Sequence, residues 1–213
     1  MVVKILSSPV ANALAISIGL WTFALFYRGS FALQLLAAVS LLVTAILIVK
    51  VLITHNEVLL QKGLWQWPSP AKKVLVLSFG ISGGLAIWYR YTEQMPLLPV
   101  SFEWFVILSV LIGATEELIF RGVVQGEASY WHPTGAVYLS AFAFAGYKTL
   151  LFVQPSPQNQ TNLATLFIFT FLAGILLGYT RKNTGSIWPC LVAHGIFDLV
   201  VYAETASSPW WVW

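Results

Sequence analysis

The chain has 213 residues, of which 58% are hydrophobic and only 9% charged, with a formal net charge of +3. A soluble domain carries about 25% charged residues, so this balance excludes a soluble enzyme and points to an integral membrane protein. There is no basic cluster for nucleic acid to bind, and the single cysteine, Cys190, excludes an intrachain disulfide and a Cys-rich metal site.

The apolar runs then divide the chain. Val10–Tyr27 reads as a first span, and as a retained helix, because Arg28-Gly29-Ser30 is no small-residue cleavage site. Phe31–Val49 is the second span, with Lys50 placed to snorkel at its end. His55–Lys73 is a polar interruption in which Trp65 and Trp67 suit the headgroup level and Pro68 and Pro70 break any helix. Val74–Tyr89 is the third span, and its Ser82-Gly83-Gly84 offers a small face for close helix contact. After the Arg90–Pro99 loop, Phe102 to about Tyr130 reads as one long helix, closed by the turn Trp131-His132-Pro133. Thr134–Val153, Leu163–Tyr179 and Ile187–Tyr202 complete the spans, joined by Gln154–Asn162 and Arg181–Ser186. The tail Ala203–Trp213 reads as an interfacial anchor.

This pattern predicts an all-α, polytopic membrane helix bundle of about seven transmembrane helices. It forms a single membrane domain over residues 1–213. Lys4, Lys50, Lys62, Lys72, Lys73, Arg181 and Lys182 fall on one side of such a bundle, and Arg28 and Arg90 on the other. The excess predicts a cytosolic N-terminus and an outside C-terminus.

Glu116 and Glu117 are the anomaly. Charge within a hydrocarbon span costs several kcal/mol, on the order of 3 on insertion scales, and marks a site or a buried partner. Glu116 lies sixteen residues before His132 and Lys148 sixteen after it. In an antiparallel hairpin, equal distance from the turn means equal depth, about 24 Å at ~1.5 Å per residue. Lys148 is therefore expected level with the two acids. Glu117 and Arg121 are four apart and share a helix face, as do His194 and Asp198. Glu116 points about 100° away from Glu117 and is expected to be the freer of the two. A cluster of Glu116, Glu117, Arg121, Lys148, His194 and Asp198 would be close to neutral, which limits the cost of burying it. The same residues could instead pair only to hold helices together. His55 and His132 read as surface residues, Cys190 as a small core residue, and Glu103, Glu127 and Glu204 as acids that reach the interface.

Glu116-Glu117-x-x-x-Arg121, Phe144-x-x-x-Lys148, and His194-x-x-x-Asp198 after Gly185-Ser186-Ile187-Trp188-Pro189 together resemble the intramembrane CPBP family. That family holds the CAAX prenyl endopeptidases and the bacteriocin-processing or immunity proteins, also called Abi. The resemblance covers about residues 100–203. It implies a multi-helix membrane fold with a glutamate-dependent peptidase site open towards the cytosol. It further implies that Glu116 activates a water, that His194 and Asp198 stabilise the oxyanion, and that Arg121 pairs with a glutamate. The second motif departs from the family, with Lys148 where a histidine is expected. Histidine can accept and donate a proton near neutrality; a charged lysine only donates.

Two readings follow. One is an intramembrane endopeptidase that cleaves a peptide or a prenylated protein at the membrane. The other is an inactive homologue acting as a membrane scaffold, immunity factor or assembly partner for a membrane protein. A small transporter finds no support in a visible repeat. No cofactor or metal is expected, since one membrane-level histidine beside an ammonium is a poor zinc site and no His-Glu-x-x-His occurs. Lipids are the expected surroundings.

Overall fold

A computed structural model describes residues 8–54, 71–153 and 162–205, and among them the chain is helical, with no strand. Helix α1 is Pro9–Phe26, α2 Phe31–Thr54 and α3 Ala71–Thr92. Helix α4 is continuous but changes its winding: α-helical over Phe105–Glu117, π-helical over Leu118–Val124, and α-helical again over Gln125–Ser129. Helices α5, α6 and α7 are Pro133–Leu151, Leu163–Thr184 and Trp188–Val201.

Local chemistry explains most boundaries. Pro9 and Pro133 begin α1 and α5, where a missing N–H costs nothing. His132 caps α5 by accepting from the Gly135 N–H through Nδ1 (2.9 Å). The Asn162 side chain accepts from the Ala164 and Thr165 N–H groups to cap α6. Gly185, at φ +70°, ends α6 in the left-handed conformation that favours glycine.

Several helices overrun the expected spans. α2 carries on through Lys50 to Thr54, α3 takes in Lys72, Lys73 and Arg90, and α6 takes in Arg181 and Lys182. A charged residue ends a hydrophobic stretch but not a helix, because Lys and Arg are good helix formers. His55, Lys62, Trp65, Trp67, Pro68 and Pro70 lie outside the described residues, as do the Gln154–Thr161 part of the polar loop and the Pro209–Trp213 anchor.

Among the described residues three helices, α1, α2 and α6, are long and apolar enough to cross a membrane. Helix α7 is apolar but has only 14 residues, against about 20 for a full crossing. The protein is thus a membrane helix bundle, but seven helices are not seven demonstrated crossings.

The core is lined by Ile16 and Leu20 of α1, Val51 of α2, Phe120 and Val124 of α4, and Phe144 and Leu151 of α5. Ala13, Ala128, Ala136 and Ala143 let these helices approach closely, as suits packing in lipid, where apolar burial supplies little drive. Polar ties cross the core: Trp21 Nε1 donates to the Ala143 carbonyl (2.8 Å), Ser140 Oγ to that of Phe120 (2.7 Å) and Gln125 Nε2 to that of Gly178 (2.9 Å). Large apolar side chains such as Leu35, Leu42, Ile46 and Ile53 point outward from α2.

Helix α4 packs against α1, α5 and α7, and more lightly against α2 and α6. Helix α3 packs mainly against α7. Its buried stripe Ser82, Ala86 and Arg90 recurs every four residues, and Ser82 Oγ donates to the Ala193 carbonyl. Gly83 and Gly84 do not form the expected contact face; a Cβ at either would meet nothing within 4 Å. They lie one and two residues off the stripe, so they turn away from α7.

Candidate active site

Glu116 and Glu117 end the first α-helical part of α4, and Arg121 sits in the π-helical part. A π segment inserts a residue into the i→i+4 ladder, and such segments are frequent at functional sites. Lys148 comes from α5, and His194 and Asp198 from α7. Glu117 and Arg121 have 0% of their surface exposed, Glu116 5% and Asp198 6%.

Two ionic arms converge here. In the first, Lys148 Nζ lies 2.6 Å from Glu116 Oε1, at the level that equal spacing from the turn requires. In the second, Arg121 Nε lies 3.3 Å from Glu117 Oε2, and His194 Nδ1 lies 2.8 Å from Glu117 Oε1. The arms meet at His194 Nε2, which is 3.8 Å from both Glu116 Oε2 and Asp198 Oδ2. Those separations exceed hydrogen-bond length, so Nε2 is committed to neither carboxylate.

The six residues therefore gather in one place, and their pairing divides between the two acids. Glu116 is the freer acid: Lys148 holds Oε1, but Oε2 has no partner within hydrogen-bond length among the described residues, and 5% of its surface is exposed against 0% for Glu117. Glu117 carries two partners, Arg121 and His194. The reason is geometric: neighbouring helical residues diverge by about 100°, so one acid faces α5 and the other faces α7. Three acids meet two fixed cations and a histidine, and the imidazolium form of His194 brings the sum to zero.

Two contributors escaped the sequence reading. Phe144 belongs to the second motif, but the sequence assigns it no contact. Its ring lies 4.5 Å from the Arg121 guanidinium carbon, 6.0 Å from Lys148 Nζ and, edge to face, 6.0 Å from the His194 ring. An aromatic face favours cations at such distances, and the i,i+4 spacing of Phe144 and Lys148 was the available signal. Gly113 lies three residues before Glu116. A Cβ there would collide with Asp198 Oδ2 and stand 3.0 Å from His194 Cδ2, so only glycine lets α7 come this close to α4.

Outside the cluster, Glu127 does not reach the interface. It is 0% exposed and accepts from Asn12 Nδ2 (2.7 Å), because the π segment is followed by a turn of helix still covered by α1. Glu204 is tied to buried Arg90 (3.0 Å), whose Nη1 also donates to the Val200 carbonyl (2.9 Å). The Glu204 carboxyl is held below its ordinary value by the Val100 N–H that it accepts and by Arg90. Cys190 is buried, its Sγ 3.3 Å from the Leu177 carbonyl, and His132 is an exposed helix cap.

A family model described as type II CAAX prenyl endopeptidase, Rce1-like, matches residues 97–200. Those residues belong to the Rce1-like family. The matched stretch contains all six clustered residues and excludes α1 and α2, which contribute much of the core. This is the CPBP group that the motifs resemble. No curated protein and no solved structure matches the chain.

Proposed function

We propose that the protein is an intramembrane endopeptidase that uses Glu116 as its general base and cleaves a peptide or a prenylated protein tail at the membrane. The observation that carries this reading is the approach of Glu116 Oε2 to His194 Nε2, 3.8 Å apart with neither atom committed to the other, beside the Lys148–Glu116 pair. Family membership over residues 97–200 supports it.

In this reading Glu116 Oε2 takes a proton from water as the water oxygen bonds to the scissile carbonyl carbon. The negative charge moves to the carbonyl oxygen, where Lys148 and the imidazolium of His194 stabilise it. Collapse breaks the carbon–nitrogen bond, and the proton on Glu116 passes to the leaving amine. Asp198 anchors the charge of His194. The bundle crosses the membrane several times, with the N-terminus in the cytosol, in keeping with the Lys/Arg excess on that side.

The specific observation favouring a non-catalytic role is the same 2.6 Å ion pair, which commits the base to a lysine. Such a protein would hold a membrane partner and hydrolyse nothing. Glu116→Gln separates the two. Purified wild-type protein is expected to cleave prenyl-peptide or precursor substrates in detergent or liposomes, and Glu116→Gln to lose that activity while remaining inserted. Cleavage no greater in the wild type than in Glu116→Gln would overturn the peptidase reading.

A further inference from the structure

The second acid of the pair has two partners on different helices, and neither is the lysine. Glu117 Oε2 faces Arg121 Nε within α4, while Glu117 Oε1 meets His194 Nδ1 across the interface with α7 at 2.8 Å. A carboxylate only accepts hydrogen bonds, so the hydrogen of this bond sits on Nδ1. The opposite ring nitrogen, Nε2, is then turned towards Glu116 Oε2 and Asp198 Oδ2, both 3.8 Å away. Asp198 cannot set the ring orientation at that distance, although it shares the helix.

Two further contacts restrict the ring, and a third holds Glu117. Phe144 packs against it edge to face at 6.0 Å. The bare Cα of Gly113 lies beneath it, where a Cβ would stand 3.0 Å from Cδ2. Arg121, fully buried and lying 4.5 Å from the Phe144 ring centre, keeps Glu117 from rotating away. The hydrogen bond alone selects which nitrogen carries the fixed hydrogen.

We propose that Glu117 is the positioning residue of His194, fixing the Nδ1 hydrogen and aiming Nε2 at Glu116 Oε2, with Arg121 as the lock on Glu117. The consequence for turnover rests on the peptidase reading; the positioning itself does not. Ring placement matters because a displacement of about 1 Å can cost roughly 100-fold in rate.

The test compares Glu117→Gln, which keeps an acceptor oxygen, with Glu117→Ala, which removes it. Glu117→Leu replaces Glu117→Ala if the latter does not fold. The first measurement is nitrogen NMR of histidine-labelled protein in detergent. The chain has three histidines, and loss of a signal in His194→Gln identifies the relevant one. Measured at a pH where the ring is neutral and its one N–H must choose a nitrogen, Nδ1 of His194 is expected to carry it in the wild type and in Glu117→Gln, and to lose that preference in Glu117→Ala. An unchanged Nδ1 signal in Glu117→Ala overturns the proposal, whatever the activity. The second measurement is steady-state cleavage. Glu117→Ala is expected to lower kcat about 100-fold with KM within about twofold, and Glu117→Gln to recover at least about tenfold of the loss. A parallel loss in kcat and KM with no recovery in Glu117→Gln marks a purely structural role and also overturns it. If the wild type itself cleaves no better than Glu116→Gln, the peptidase reading fails, and the NMR result decides the positioning by itself.

Discussion

Separating Glu116 from Lys148 tests the central contact of the site without requiring any activity. At 2.6 Å, the bare attraction of the pair is about 6 kcal/mol for an effective dielectric of about 20. Desolvation offsets several kcal/mol, on the order of 3–5, for buried ions. Lys148 retains 22% side-chain exposure, so the net coupling should be about 1–3 kcal/mol, below the range for a fully buried pair. Lys148→Met leaves a buried carboxylate unpaired, and Glu116→Gln leaves an ammonium facing an amide. Each should destabilise the protein, and the double variant should cost about 1–3 kcal/mol less than the two singles together. The assay is reversible denaturant unfolding in mixed micelles, followed by helical circular dichroism, for all four proteins of the cycle. Single effects that add to within about 0.5 kcal/mol would show that the pair carries no coupling and would refute the argument from hairpin depth.

Other outcomes follow from the same geometry. Gly113→Ala should gain about 1 kcal/mol in helix propensity but lose about 1–3 kcal/mol to overpacking against His194 and Asp198. Its cleavage rate should fall roughly 100-fold through their displacement, and wild-type cleavage in this variant would show that the close approach is not needed. Lys148→His should lower cleavage by about tenfold or more if lysine stabilises the developing oxyanion. A gain in activity would instead mean that lysine displaced a better catalyst, and would favour the non-catalytic reading of the natural protein. Glu204 gives a pH prediction with a definite sign. Its folded value lies below the ordinary 4.5, so its contribution is complete above pH 4.5 and is lost as pH falls through the folded value. The difference in unfolding temperature between wild type and Glu204→Gln should hold from pH 7 to 5 and shrink below 4.5; a constant difference down to pH 3 would contradict the Arg90–Glu204 clamp.

How far the sequence could be read depended on the range of the interactions. The i,i+4 relation of Glu117 to Arg121 is a property of one helix, and it survives even though the segment winds as a π-helix. The alignment of Lys148 with Glu116 needs only a turn and a constant rise per residue, both visible in Trp131-His132-Pro133 and the counts on either side of it. Helix ends were less legible. Lys50, Arg90 and Arg181 mark where the apolar runs of the sequence end, whereas the helices continue until a conformational signal such as Gly185 stops them.

What required the folded chain was the rotation of each helix about its axis. Composition and spacing bring six ionisable residues to one depth, because charge in lipid must find charge. They leave open which acid meets which cation, and the fold decides that Glu116 turns to α5 while Glu117 bridges Arg121 and His194. The Arg90–Glu204 tie joins residues 114 apart, so no local pattern could announce it. The burial of Glu127 beneath Asn12 has the same origin. Periodicity reports what lies along a helix, but the contacts between helices depend on how closely residues such as Gly113 let them approach.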